Sequence, residues 1–197
     1  MRSPSPKVRR GAVKAAWALA AAVPGAALLA LATGVHAQAP KLDAGDFMPT
    51  ATIVEIMDSM VMPSAQILWD AVAVDVTAAG TVEKVPQTDE DWARVRWSAI
   101  TLAEATNALV LPGRRVAPPG AKSEAPDSEL EPEAIQKLLG EQRPAWVAHA
   151  HVLHEAAMEM LKAIDARNID AVSDAGGTID AACEGCHLQF WYPEQAK

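Results

Sequence analysis

AACEGCHLQFW, residues Ala181 to Trp191, holds the only two cysteines of the 197-residue chain, Cys183 and Cys186, with His187 directly behind them. Reading outward, Ile169, Val172, Gly176, Ile179, Cys183, Cys186 and Phe190 recur at alternating steps of three and four, which is one stripe of an α-helix. Both cysteines lie on the stripe, and His187, four residues after Cys183, borders it. Gly176-Gly177 weakens this helix, because each glycine costs about 1 kcal/mol relative to alanine. The pair marks either a kink or clearance for close packing.

Thiols at i and i+3 of a helix sit side by side with poor geometry for a disulfide. A redox dithiol ordinarily opens a helix after a strand, and no strand is expected before this one. Structural zinc requires four ligands, and the sequence has no second cysteine pair to supply them. The remaining reading of C-x-x-C-H is covalent attachment of one c-type haem. Cys183 and Cys186 would add to its vinyl groups, and His187 would ligate the iron from the proximal side.

The other end of the chain reads as an export leader. MRSPSPKVRRGAVK carries five basic residues and no acid, and it runs into AAWALAAAVPGAALLALATGVHA, which has no charge. Small residues at Val35 and Ala37 complete a secretory signal peptide over residues 1–37. An uncleaved anchor is the alternative, since the apolar run approaches spanning length; Pro24-Gly25 in its middle argues for cleavage. The mature protein is then expected in the periplasm and outside the membrane. Of 17 basic and 25 acidic residues, the leader removes five basic ones, leaving 12 against 25, a formal charge of −13. Such a surface repels nucleic acid and suits partners with basic faces.

Between these ends the chain reads as helical. A tail at 38–49 precedes a helix capped by Thr50 and running toward Gly80, with Ile53, Met57, Met60, Ser64, Ile67 or Leu68, and Ala71 as its stripe. Pro63 predicts a kink or a restart within it. VAVDVT at 72–77 alternates like a strand, but its isolation favours helix. A second helix starts at Thr88, where Asp91 completes an approximate capping box, and ends at LPG, residues 111–113. A third begins near Pro144 with Trp146, Ala150, Leu153, Ala157, Leu161 and Ile164 on one face. With the cysteine helix these predict an all-α, antiparallel up-down-up-down four-helix bundle over 50–192. The stretch 114–143 is rich in Pro, Gly, Ser and charge in its first half, an exposed loop. It includes a short helix opened by Pro132 and reads as a docking insertion or a tolerated excursion.

CEGCH late in the last helix, with PQTDEDW, LAEATNALVLPGR and GGTIDAACEGCH, resembles the class II c-type cytochromes, the cytochrome c-prime group. The resemblance covers about residues 45 to 192. It implies a bundle in which the first helix supplies the distal face of the haem, either with a methionine or with an apolar side chain. It places the ligating methionine nearest to Met57. Met60 shares the stripe, Met62 lies about 140° around from Met57 at 100° per residue, and Met48 precedes the helix. An iron closed by His187 and Met57 implies a single-electron carrier between redox proteins, a monomer or homodimer and not an enzyme; an open distal face implies binding of nitric oxide or carbon monoxide. Two departures from the family stand out: the 114–143 stretch, and the lack of a clear arginine ahead of the helix-one methionine.

Three further histidines, His149, His151 and His154, fall beside or opposite the third helix's stripe and read as a solvated face. Trp69, Trp92, Trp146 and Trp191 read as packing residues, and Trp97 as partly exposed.

Overall fold

The computed structural model describes residues 45–193 except Asp46 and Ala79, with Asp75 described by its backbone alone. The leader expected at 1–37 and most of the tail expected at 38–49 lie outside the described residues. The chain is mostly helical: α1 (Ile53–Ile56), a π turn (Met57–Val61), α2 (Met62–Trp69), β1 (Ala73–Thr77), β2 (Gly80–Lys84), α3 (Asp89–Leu109), α4 (Pro132–Glu141), α5 (Arg143–Asp165) and α6 (Ile169–Phe190).

Helix one is the α1–π–α2 unit. Its N-cap is Thr52, not Thr50, and Thr52 exchanges side-chain and backbone bonds with Glu55 in a full capping box. Pro63 explains the π turn. A proline lacks an N–H and its ring crowds the carbonyl four residues back. Here the chain widens by one residue ahead of it, the Met62 N–H bonding to the Met57 carbonyl, and Pro63 then falls in the first turn of α2, where no N–H is needed.

The helix does not continue to Gly80. It stops at Trp69, and the VAVDVT stretch pairs as an antiparallel hairpin with residues 80–84. The alternation of β-branched Val and Thr that hinted at a strand is decisive, and Gly80 at φ +128° supplies the turn conformation that other residues resist. Val74, Val76 and Val82 are exposed on this hairpin.

The Thr88–Asp91 capping box opens α3 as expected, and Pro132 opens α4. Helix α3 packs on α5, α5 on α6, and α2 on both α3 and α6, which closes a ring of four helical segments. Its core includes Leu68, Val95, Leu102, Ala157, Met160, Val172 and Ile179, all at most 2% exposed.

The 114–143 stretch is no loose excursion. Its backbone carbonyls at Arg115 and Val116 accept from the Ile53 and Val54 N–H groups, two of the donors a helix N-terminus leaves open. The Leu130 N–H donates to the Trp191 carbonyl at the other end of the chain, and Val116 and Ala117 are buried. The segment straps the start of helix one to the end of α6.

Candidate functional site

Two tie points fix helix one against α6. At one end Trp69 Nε1 donates to the Gly176 carbonyl (3.1 Å), with the indole Cδ1 3.6 Å from where a Cβ on Gly176 would lie. That favours clearance as the reason for Gly176; the helix runs unbroken through Gly176-Gly177, and nothing lies within 4 Å of a Cβ on Gly177. At the other end Ile53 and Trp146 line one cleft, and Trp146 meets Phe190 edge to face at 5.8 Å. The start of helix one therefore lies near the end of α6, and its end lies near the start of α6. The two run in opposite directions.

Between those points both stripes open. On α6, Val172, Gly176 and Ile179 are buried, Cys183 and Cys186 are only half-buried, and Phe190 is buried again. On helix one, Ile53 is buried, Met57 and Met60 are half-buried, and Ser64 and Leu68 are buried. Along the chain, Met57 lies one turn in from Ile53 on helix one, and Cys186 one turn back from Phe190 on α6. The chief partner of α1 and the π turn is α3, whereas α2 is the part of helix one that packs on α6. Met62 is 46% exposed and points away, as its angle predicts.

The chemistry of the two thiols is that of inert groups. Both are free. Burial, with Asp180 adding to it, pushes the Cys183 thiol up to about 11, and burial with neighbouring Cys183 pushes Cys186 up to about 12. A reactive dithiol needs a stabilised thiolate, and these remain protonated near neutrality. Burial lowers His187 below the usual imidazole range, against an opposing pull from Glu184. The neutral imidazole is the form that binds a metal. Its ring is held edge-on by Trp191 (4.8 Å between centroids) and Tyr192 (5.8 Å), and the Tyr192 hydroxyl donates to Glu184 at 2.6 Å.

These residues fit a haem. Two thiols one turn apart with a neutral imidazole behind them, and two partly buried thioethers on helix one, are the donor types a c-type haem would use.

The other histidines divide. His151 is exposed, as expected of a solvated face. His149 and His154 are not: His149 Nε2 bonds Gln189 Oε1 (2.7 Å) against Phe190, and His154 Nδ1 lies 3.1 Å from the Thr106 hydroxyl and 3.2 Å from the Ala103 carbonyl. Both tie α5 to its neighbours, because a histidine flanking an apolar stripe keeps its tip polar while its ring packs. Among the described residues no group of three or more His, Cys, Asp or Glu side chains converges as a metal site. Trp92 and Trp146 are buried, Trp69 is half-buried, Trp191 is more exposed than its packing role predicts, and Trp97 is 65% exposed.

Sequence reasoning missed Arg114. Its guanidinium donates to the Ala108 carbonyl (2.7 Å) and to the Ala51 carbonyl, so it clamps the end of α3 to the entry of helix one. The signal was the basic pair directly after the LPG stop, since cations at a helix C-terminus satisfy its open carbonyls.

No protein-family model, curated protein or solved structure gives a significant match to the chain. No helix among the described residues is long and apolar enough to cross a membrane.

Proposed function

We propose that the protein is a periplasmic monohaem c-type cytochrome of the class II kind, carrying single electrons between redox proteins. The observation that carries this reading is a pair of openings. Cys183 and Cys186 on the C-x-x-C-H stripe of α6, and Met57 and Met60 on the stripe of helix one, are each only partly buried, while residues of the same stripes on either side are buried. In this reading helix one, α3, α5 and α6 are the four members of an antiparallel up-down-up-down bundle, and a haem completes its core.

Cys183 and Cys186 would hold the group through two thioether bonds, so it would stay with the chain. His187 would ligate the iron, its ring orientation fixed by the edges of Trp191 and Tyr192. Met57 would supply the second ligand, with Met60 beside it on the same helix. The bound iron supplies a one-electron couple. A thioether and an imidazole supplied by this chain would leave the iron no open site for substrate, and methionine ligation would raise its potential relative to a pair of histidines. The described surface is dominated by carboxylates, which suits redox partners presenting basic faces; the protein acts as a carrier and not as an enzyme, as a monomer or homodimer.

Optical spectra of the exported protein test the reading. A low-spin ferric form with the weak far-red charge-transfer band of a methionine–iron bond is expected, together with no uptake of carbon monoxide by the ferrous form. A high-spin ferric form that takes carbon monoxide readily would replace the carrier with a gas-binding protein. If Met60→Ala and not Met57→Ala abolishes the band, the ligand is Met60 and the function stands.

A further inference from the structure

A cleft among the described residues lies away from the cysteines. It measures about 480 Å³ and sits between the strap, α4 and the first turn of α5. Its lining mixes polar and apolar surface, with a floor of Ile53, Leu139 and Trp146, all buried. Its wall carries three arginines, Arg114, Arg115 and Arg143. The volume falls in the range of small-molecule sites, which pair an apolar floor with a few fixed polar groups.

Its arginines differ from the other described arginines, which all pair with carboxylates, although Lys84 and Lys162 also lack such a partner. Arg94, Arg96, Lys122, Lys137 and Arg167 each lie within 4.0 Å of a carboxylate. Among the described residues none of the three cleft arginines has such a partner, although the chain carries 25 acidic residues against 17 basic. Glu133, the one acid on the cleft wall, is exposed and pairs with none of them. Arg114 and Arg143 are anchored on backbone carbonyls at the end of α3, on Ala108 and on Val110 respectively. That anchoring fixes their position without neutralising their charge. Arg115 is exposed with no side-chain bond, and helix capping does not account for it.

We propose that this cleft binds a small aromatic carboxylate, its ring on the Trp146–Leu139 floor and its carboxylate held by Arg115 and Arg143. Guanidinium and carboxylate match as planar, bidentate partners, and the apolar floor supplies the burial that a bare inorganic anion would not use. The site involves neither cysteine nor Met57, so its failure leaves the cytochrome reading standing, and the reverse also holds.

Calorimetric titration of the exported protein with 2-naphthoate, and with neutral 2-naphthamide as control, tests it. Naphthoate should bind and the amide at least about tenfold more weakly, the loss expected for a hydrogen bond to a charged group. Arg115→Gln should weaken naphthoate by a similar factor with an unchanged thermal transition. Gly140→Leu should abolish binding: Gly140 lines the cleft and nothing lies within 4 Å of a Cβ there, so the variant folds while its side chain fills the space. Equal binding of acid and amide, indifference to both substitutions, or no uptake of naphthoate up to millimolar concentration would overturn the proposal.

Discussion

The seam between helix one and α6 has two halves. In the half near Gly176, Leu68 is 1% exposed and Val172 and Ile179 are as deeply buried, and an indole–carbonyl bond locks the contact. In the half near Cys186, Met57, Met60, Cys183 and Cys186 occupy the same stripes and remain half-open. Both halves are built from apolar residues at helical spacing, so periodicity does not distinguish them. What differs is residue type. Leu68, Val172 and Ile179 close one half, with buried Ser64 and the Trp69–Gly176 bond; the other carries four sulfur atoms and an imidazole at its border. In the proposed function a haem would complete this half of the core.

Substitutions that remove that group should produce the largest effect. Cys183→Ala with Cys186→Ala should leave the exported chain poorly folded or degraded, since the loss approaches the stability of a whole domain, on the order of 5–15 kcal/mol. A sharp thermal transition and full helical circular dichroism in this variant would contradict it. Next in size, Leu68→Ala in the closed half should cost about 2–5 kcal/mol in denaturant unfolding. Met57→Ala should cost less than that in packing, because its side chain is only partly buried, yet lower the reduction potential and admit carbon monoxide. Equal stability losses with an unchanged spectrum would erase the distinction between the halves.

Thr52→Ala comes third, at about 1 kcal/mol for a lost N-cap, and has a pH signature. Hydrogen bonds from Thr52 lower the Glu55 carboxyl below its ordinary 4.5, and those from Thr88 and Gln87 lower Asp91 below 3.8. Folded carboxylates with depressed values bind protons less readily than unfolded ones, so their contribution is complete above about pH 5 and declines as pH falls through the folded values. Wild-type and Thr52→Ala unfolding curves should converge on acidification. Curves that stay parallel from pH 6 to pH 3 would remove Glu55 from the account. The smallest effect belongs to Gly177→Ala, a gain of about 0.5–1 kcal/mol at an open helical position, read as a raised melting temperature. A loss there would mean that the second glycine also has a packing role.

Much of this molecule can be read in its residues, and the failures have physical causes. The Thr88–Asp91 box, Pro132 at a helix start and the burial of the cysteine stripe up to Ile179 are local properties and are legible. The hairpin at 73–84 departs from the helical expectation because β-branched alternation and Gly80 outweigh continuation of the helix. Thr52 and not Thr50 caps helix one because Glu55 stands three residues after it and closes the box. The π turn is a consequence of Pro63 acting backward along the chain, which a 100° wheel does not represent. The strap's bonds to Ile53, Val54 and Trp191 join residues tens of positions apart, and no periodicity encodes them. For the candidate site, the spacing of Cys183, Cys186 and His187 was legible at once, while the matching gap at Met57 and Met60 becomes visible only once the two helices are laid side by side.

The central claim is that a haem attached to Cys183 and Cys186 closes the open half of the seam. Mass spectrometry of the exported protein after acid–acetone extraction tests it most directly. The expected result is a single species heavier than the bare mature chain by one haem, with the added mass on the peptide that carries both cysteines. A chain at its bare mass, with the haem released into the acetone or never present, would contradict the account.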